Sequence, residues 1–159
     1  MPKGFKVGAA GRRPNSQLVE YVPTGETVEA WSRLITQQIF YGARAMDPDA
    51  LPNSMTGGWS RACPGGAARK VHAGVENSYP VSIWMFLCPL NPATRKPESM
   101  WIKVISGADS LYSVQYAYRS AATAEMVSPT MSYLKSVTVC DTRRGDAKCP
   151  EVGGAPSKP

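Results

Sequence analysis

The sequence predicts an α+β fold: an antiparallel sheet of about five or six strands packed against two helices. Three observations predict it. Apolar and β-forming runs follow one another directly, without the strict strand–helix alternation of parallel α/β folds. Only two segments carry apolar residues at sustained helical spacing. Finally, 159 residues with 43% hydrophobic content suit one core, since roughly 70% of the unfolded surface is buried at this length.

Residues 1–16 are rich in Gly, Lys and Arg with little periodicity, so they are expected to be a flexible basic arm, with residues 17–149 forming a single α+β domain. Gln17 to Val22 predicts a short strand, punctuated by Pro23-Thr24-Gly25. Glu26 to Phe40 admits two readings: Val28, Trp31 and Ile35 have helical spacing, yet Trp31, Arg33, Ile35, Gln37 and Ile39 alternate with their neighbours. A turn leading into a strand from about Ser32 to Phe40 is favoured. Asp47-Pro48 suits an N-cap and first helical position, and Leu51, Met55, Trp59 and Ala62 continue a helix despite Pro52 and Gly57-Gly58. Cys63-Pro64-Gly65-Gly66 stops it.

Ala68 to Glu76 and Val81 to Cys88 predict the next strands. The second is apolar on both faces, which marks a central strand. Pro89 to Pro97 is expected to be the longest loop of the domain. Met100 to Ile105 and Leu111 to Arg119 flank Ser106-Gly107-Ala108-Asp109 as a hairpin, the latter strand having one face covered (Tyr112, Val114, Tyr116, Tyr118) and the other wet. Val127, Met131, Leu134 and Val137 predict a helix over Thr123 to Val137, with Pro129 constraining its start or bending it. Pro150 to Pro159 has the composition of a disordered tail.

The net charge of +6 is unevenly placed: Lys3, Lys6, Arg12 and Arg13 give residues 1–16 a charge of +4. The remaining body is nearly neutral, which disfavours a folded nucleic-acid reader and leaves a basic leader that aids solubility or touches anionic surfaces or nucleic acid weakly. No stretch approaches the roughly 20 apolar residues of a membrane-spanning helix.

Four cysteines, at 63, 88, 140 and 149, allow three pairings, and none forms a C-x-x-C pair. With one His in the chain, a tetrahedral zinc site would need distant, mixed ligands. Disulfides Cys63–Cys88 and Cys140–Cys149 are favoured, each closing a compact loop; four reduced thiols in a cytosolic protein are the alternative. Met1 to Lys6 lacks the apolar segment of a signal peptide, so export implies a leader absent from this chain.

No catalytic signature is present: there is no P-loop, no G-x-G-x-x-G and no G-x-S-x-G, and Gly65-Gly66 lies between helix and strand in the wrong order for phosphate binding. A hydrolase would have to use His72 with Cys63 or a serine, but a lone imidazole in a strand favours an ordinary edge residue. The carboxylate pairs Glu26/Glu29 and Asp47/Asp49 fall at turns or helix starts, where acids have structural work. No residue is assigned as catalytic, cofactor-binding or metal-binding. The better candidates are for partner binding: Asn91, Thr94, Arg95 and Lys96 in the proline-stiffened loop, and the Tyr112, Tyr116 and Tyr118 stripe.

Glu20-Tyr21-Val22-Pro23 through Gly25-Glu26-Thr27, Glu29-Ala30-Trp31-Ser32, Ala62-Cys63-Pro64, Cys88-Pro89-Leu90-Asn91-Pro92 and Val139-Cys140-Asp141 resemble a family of small bacterial cell-envelope proteins over about residues 17–150. The element order is more loosely similar to PsbP-like α+β sandwiches, mostly binding or assembly modules. The resemblance implies an exported, periplasmic protein but carries over no catalytic residue. The expected function is therefore non-enzymatic binding of a protein or envelope component, with no cofactor. The rivals are a small His72 hydrolase and an anionic-surface or nucleic-acid binder acting through the arm.

Overall fold

The computed structural model describes residues 2–149. The element order is β1 (Phe5–Arg13), β2 (Ser16–Pro23), β3 (Arg33–Tyr41), α1 (Ala50–Ala62), β4 (Ala67–Glu76), β5 (Tyr79–Asn91), β6 (Lys96–Ser106), β7 (Ser110–Tyr118) and α2 (Ala124–Ser136). The strands form one seven-stranded sheet in the order β1-β2-β3-β7-β6-β5-β4, and every neighbouring pair is antiparallel.

The α+β class is thus right and the strand count too low. The missing strand is β1, which occupies the segment expected to be a flexible arm. Only Phe5 of β1 is buried, so its sequence lacks the apolar alternation that announces a strand; pairing with β2 from Phe5↔Pro23 to Arg13↔Ser16 creates it. The expected tail, 150–159, lies outside the described residues.

Period-two alternation divides β5, β6 and β7 between two cores. Phe86, Met100, Ile102, Val104 and Leu111 point to one face and meet Leu51, Met55 and Trp59 of α1. Ile83, Met85, Trp101, Val114, Tyr116 and Tyr118 point to the other and meet Met126, Met131 and Leu134 of α2, joined by Phe5 and Ile35. Because a helix covers each face, β6 is buried continuously from Ser99 to Ser106. The same coverage corrects two readings. The face of β7 expected to be wet carries buried Ser113, and β5 is sixth in the sheet order, its two apolar faces reflecting two helices rather than a central place.

Helix α1 begins two residues later than Asp47-Pro48 suggested, with Asp49 as N-cap. Asp47 Oδ1 instead accepts from the Asp49 backbone N–H at 2.9 Å. Pro52 is tolerated because first-turn N–H groups have no intrahelical acceptor. The helix is pinned by Trp59 Nε1 donating to the Leu87 carbonyl at 3.0 Å and by Ser82 Oγ donating to the Pro48 carbonyl at 3.0 Å. It stops at Cys63, where the Gly66 N–H bonds the Cys63 carbonyl at 2.9 Å; a Cβ on Gly66 would stand 2.8 Å from that oxygen. Pro129 lies inside α2 and leaves Glu125 without its i+4 donor.

Beyond α2 the chain returns as a strap over the β4–β5 turn. Asn77 and Ser78 both adopt left-handed φ, +46° and +68°, as the tight hairpin requires. Their side chains then hold the strap: Asn77 Nδ2 donates to the Val139 carbonyl at 2.8 Å and Ser78 Oγ to the Asp146 carbonyl at 2.7 Å. Ala147 closes a small core with Tyr79, Val81 and Ile105.

Candidate functional site

Both expected disulfides are formed. Cys63–Cys88, with Cα atoms 5.7 Å apart, ties the end of α1 to β5, and Cys140–Cys149, at 4.8 Å, closes the strap. Among the described residues no cysteine is free. Cys63 therefore offers no thiol for His72 to activate. His72 itself sits half-buried on edge strand β4, beside Gly74, and among the described residues no hydrogen bond joins it to a serine.

The long loop expected over Pro89 to Pro97 is much shorter, because β5 extends to Asn91 and β6 starts at Lys96, the two facing each other in register. Residues 92–95 are a tight turn with Arg95 at φ +55°. Asn91 and Thr94 are consumed within it: Asn91 Nδ2 and Thr94 Oγ1 donate to the two oxygens of Glu98 at 3.0 and 3.1 Å, and Asn91 Oδ1 accepts from the Ala93 N–H at 3.0 Å. Only Arg95 and Lys96 of the four candidates point to solvent.

The tyrosine stripe is divided. Tyr116 and Tyr118 stack at 4.9 Å under α2, Tyr118 meets Trp101 edge-on at 6.0 Å, and its hydroxyl bonds Thr130 Oγ1 at 2.7 Å. They are core residues. Burial, reinforced by the neighbouring Tyr118 phenol, pushes the Tyr116 hydroxyl up to about 12. Tyr112 remains half-buried at the opposite end of β7, registered with Ile105 where Tyr118 is registered with Ser99, so the stripe and the 92–95 turn do not form one surface. Tyr112 instead lines a groove of about 290 Å³ with Gln37, Ile39, Ile105, Val114 and Val139. Burial raises its pKa, with the Asp109 carboxylate adding to the effect.

Three features escaped sequence reasoning. Lys103 is fully buried on the α2 side of β6; its ammonium donates to Glu76 Oε2 at 2.6 Å, the Leu134 carbonyl at 2.9 Å and the Val137 carbonyl at 2.7 Å. The available signal was a lone charge on the inward face of Met100 to Ile105, between Trp101 and Ile105. The strap carries Arg143, which bridges Asp141 at 2.6 Å and Asp109 at 2.9 Å. Hydrogen bonds from the Arg143 side chain and backbone hold Asp141 down at about 2. The last is the outer edge of β1, exposed and basic.

The acidic pairs have structural partners. Glu26 accepts from the Ser32 N–H at 2.6 Å and the Ser32 hydroxyl at 2.7 Å, closing the loop before β3, and these bonds lower its pKa. Asp49 is raised by burial but lowered more by hydrogen bonds from Lys70 at 2.6 Å and Trp84 at 2.7 Å, for a net lowering. Among the described residues no three His, Cys, Asp or Glu side chains converge as a metal site, and no helix is long and apolar enough to cross a membrane.

No family model matches the chain, and no curated protein matches it. Two solved structures resemble it at a distance. A point mutant of protein Mog1 is 11% identical, covering 82% of this chain and 75% of that one with a TM-score of 0.47. The Ran-binding protein Mog1p of Saccharomyces cerevisiae is 11% identical, covering 83% and 75% with a TM-score of 0.48.

Proposed function

We propose that this domain is an exported binding module, of the bacterial envelope or periplasm, that holds a protein or envelope component and performs no covalent chemistry. The pair of disulfides carries the compartment: all four cysteines are joined, one bond fixing α1 to the sheet and the other closing the strap. Such bonds persist where thiols are not kept reduced. The use of the polar groups supports the rest. Asp49, Glu98 and Asp141 are each spent on bonds that hold loops and turns in place. Basic side chains stay exposed along β1 and at the 92–96 turn.

The test has two parts. Protein taken from its native host, denatured and alkylated without reductant, is expected to take up no label on cysteine; four labelled thiols overturn the exported reading. Envelope proteins captured on the immobilised domain are expected to rebind, once purified, with a saturable affinity that the denatured domain lacks. Turnover of a substrate that one point substitution abolishes overturns the binding reading.

A further inference from the structure

We propose that the outer edge of β1 is a docking edge for an extended acidic segment of a partner protein, which joins the sheet as an additional antiparallel strand. The inference deepens the protein-binding reading above and rests on it. β1 is the terminal strand of the sheet, paired with β2 on one side only. Its other side presents backbone N–H and C=O groups to solvent, the template that strand addition uses. Its side chains leave that backbone open: Gly8, Ala9, Ala10 and Gly11 lie between the larger residues at either end.

Charge selects the occupant. Lys3, Lys6, Arg12 and Arg13 carry +4 in a segment without an acid, and none of them is in an ion pair among the described residues. Alternation places Lys6 and Arg13 on the α1 side of the sheet and Arg12 on the α2 side, as their partners Val22, Ser16 and Gln17 show. A flat anionic surface meets one side at a time, whereas a strand lying along the edge sends alternate side chains to both. A second copy of the chain is disfavoured, since it would set one +4 edge against another. The opposite edge of the sheet, β4, is different: its Lys70 is already bonded to Asp49.

The edge also has a register. The ladder of β1 shifts between Val7 and Ala9, and a Cβ on Gly8 would stand 2.8 Å from Val28 Cγ1, so Gly8 is a bulge turned in beneath the 24–32 loop. A partner then pairs along Ala9–Arg13, with acids opposite Arg12 and Arg13, and continues past the bulge to an apolar residue opposite exposed Val7 and an acid opposite Lys6. The fitting chemistry is two acids, a β-branched stretch and a further acid.

The experiment uses the full chain and the peptide Glu-Glu-Val-Thr-Thr-Val-Glu-Val, blocked at both ends, with affinity read by titration calorimetry at two salt concentrations. Binding that weakens with salt is expected, with none to the analogue carrying Lys for Glu. The combined variant Lys6→Glu, Arg12→Glu and Arg13→Glu is expected to lose about tenfold or more in affinity with its near-UV spectrum unchanged, whereas Arg69→Glu on β4 changes nothing. Two further peptides are N-methylated at odd or at even positions. Strand addition predicts that only one of them loses binding, because alternate residues of the added strand face the edge. Equal loss, or no loss, with both patterns shows a contact of charges alone and overturns the edge docking while leaving the protein-binding reading standing. Failure of the acidic peptide to bind, or a dimer of the free chain that the charge reversals dissociate, also overturns it.

Discussion

Replacing Lys103 with methionine keeps the stem that packs between Trp101 and Ile105 and removes only the ammonium. Two carbonyls at the end of α2, those of Leu134 and Val137, then lose their donor. Each such loss costs roughly 1–3 kcal/mol. Glu76 loses its partner too, but its side chain is 23% exposed and rehydrates, so that part resembles a surface pair of about 1 kcal/mol or less. Against these stands relief of the ammonium's desolvation, several kcal/mol. One-sided removal from a buried pair is typically destabilising by about 3–5 kcal/mol, and the partial exposure of Glu76 puts Lys103→Met near the lower limit, about 3 kcal/mol. For a chain of this size that is a fall in Tm of about 6–12 °C. Urea unfolding with the disulfides intact gives the global figure, and hydrogen exchange gives its location, since the last turn of α2 should lose protection before β6 does. Lys103→Met/Glu76→Leu is expected to recover part of the loss. A Lys103→Met protein within about 0.5 kcal/mol of the parent would show that desolvation offsets the three bonds and would refute the assignment of Lys103 as the anchor of α2.

Loss of Cys63–Cys88, by serine at both positions, is expected to cost more than loss of Cys140–Cys149: separations of 25 and 9 residues give about 3.5 and about 2.5 kcal/mol in the chain-entropy account, measurable as urea midpoints. Gly107→Ala should destabilise by about 1–3 kcal/mol, because its Cβ would stand 2.6 Å from Tyr112 Cε2 and 3.0 Å from the Ser110 carbonyl; a thermal melt equal to the parent's would contradict this. The Tyr116 phenol, pushed from an ordinary 10.0 up to about 12, binds its proton more tightly in the folded chain. Its contribution to stability is therefore whole below pH 10 and is lost as the pH rises towards about 12, and the late-titrating fraction of the phenolate absorbance should be smaller in Tyr116→Phe. Asp141, lowered from 3.8 to about 2, has the opposite sign: its contribution is present above pH 4 and fades as the pH falls towards about 2, seen as faster exchange of the Arg143 amide, with Asp141→Ala showing that exchange already at neutral pH.

What the sequence disclosed and what it concealed follow from where side chains are buried. Helix α1 was legible because Leu51, Met55 and Trp59 all face one core, and β5 because Ile83 and Met85 face one helix while Trp84 and Phe86 face the other. Strand β1 was not, since a strand at the margin with one buried residue carries no alternation to find; its pairing with β2 defines it. The three prolines of Pro89 to Pro97 suggested a loop, yet Pro89 and Pro97 are accommodated in strand ends beside an irregularity in the ladder between Cys88 and Asn91. Tyr116 and Tyr118 looked available because tyrosine is amphipathic, and only the position of α2 decides that they are covered. The cysteine pairing was legible for a simpler reason: each favoured pair joins two segments a short chain length apart, 25 residues in one case and 9 in the other.

The basic charge of the N-terminal segment has two physical uses that the fold keeps separable. Charged side chains on a terminal strand prevent edge-to-edge aggregation, and that alone would justify Lys6, Arg12 and Arg13. A merely protected edge, however, can be built in several ways, and β4 shows another on the same sheet: Lys70 drawn off to Asp49 and Val75 left exposed. β1 combines, on both faces, charges that among the described residues enter no ion pair, Arg12 lying over the Tyr41 ring, with an unbroken run of small residues from Ala9 to Gly11, which repels another basic edge and leaves room for an acidic one. Protection requires only the repulsion. The response to alternate N-methylation distinguishes the two, because a repelling edge has no reason to read which peptide N–H groups face it.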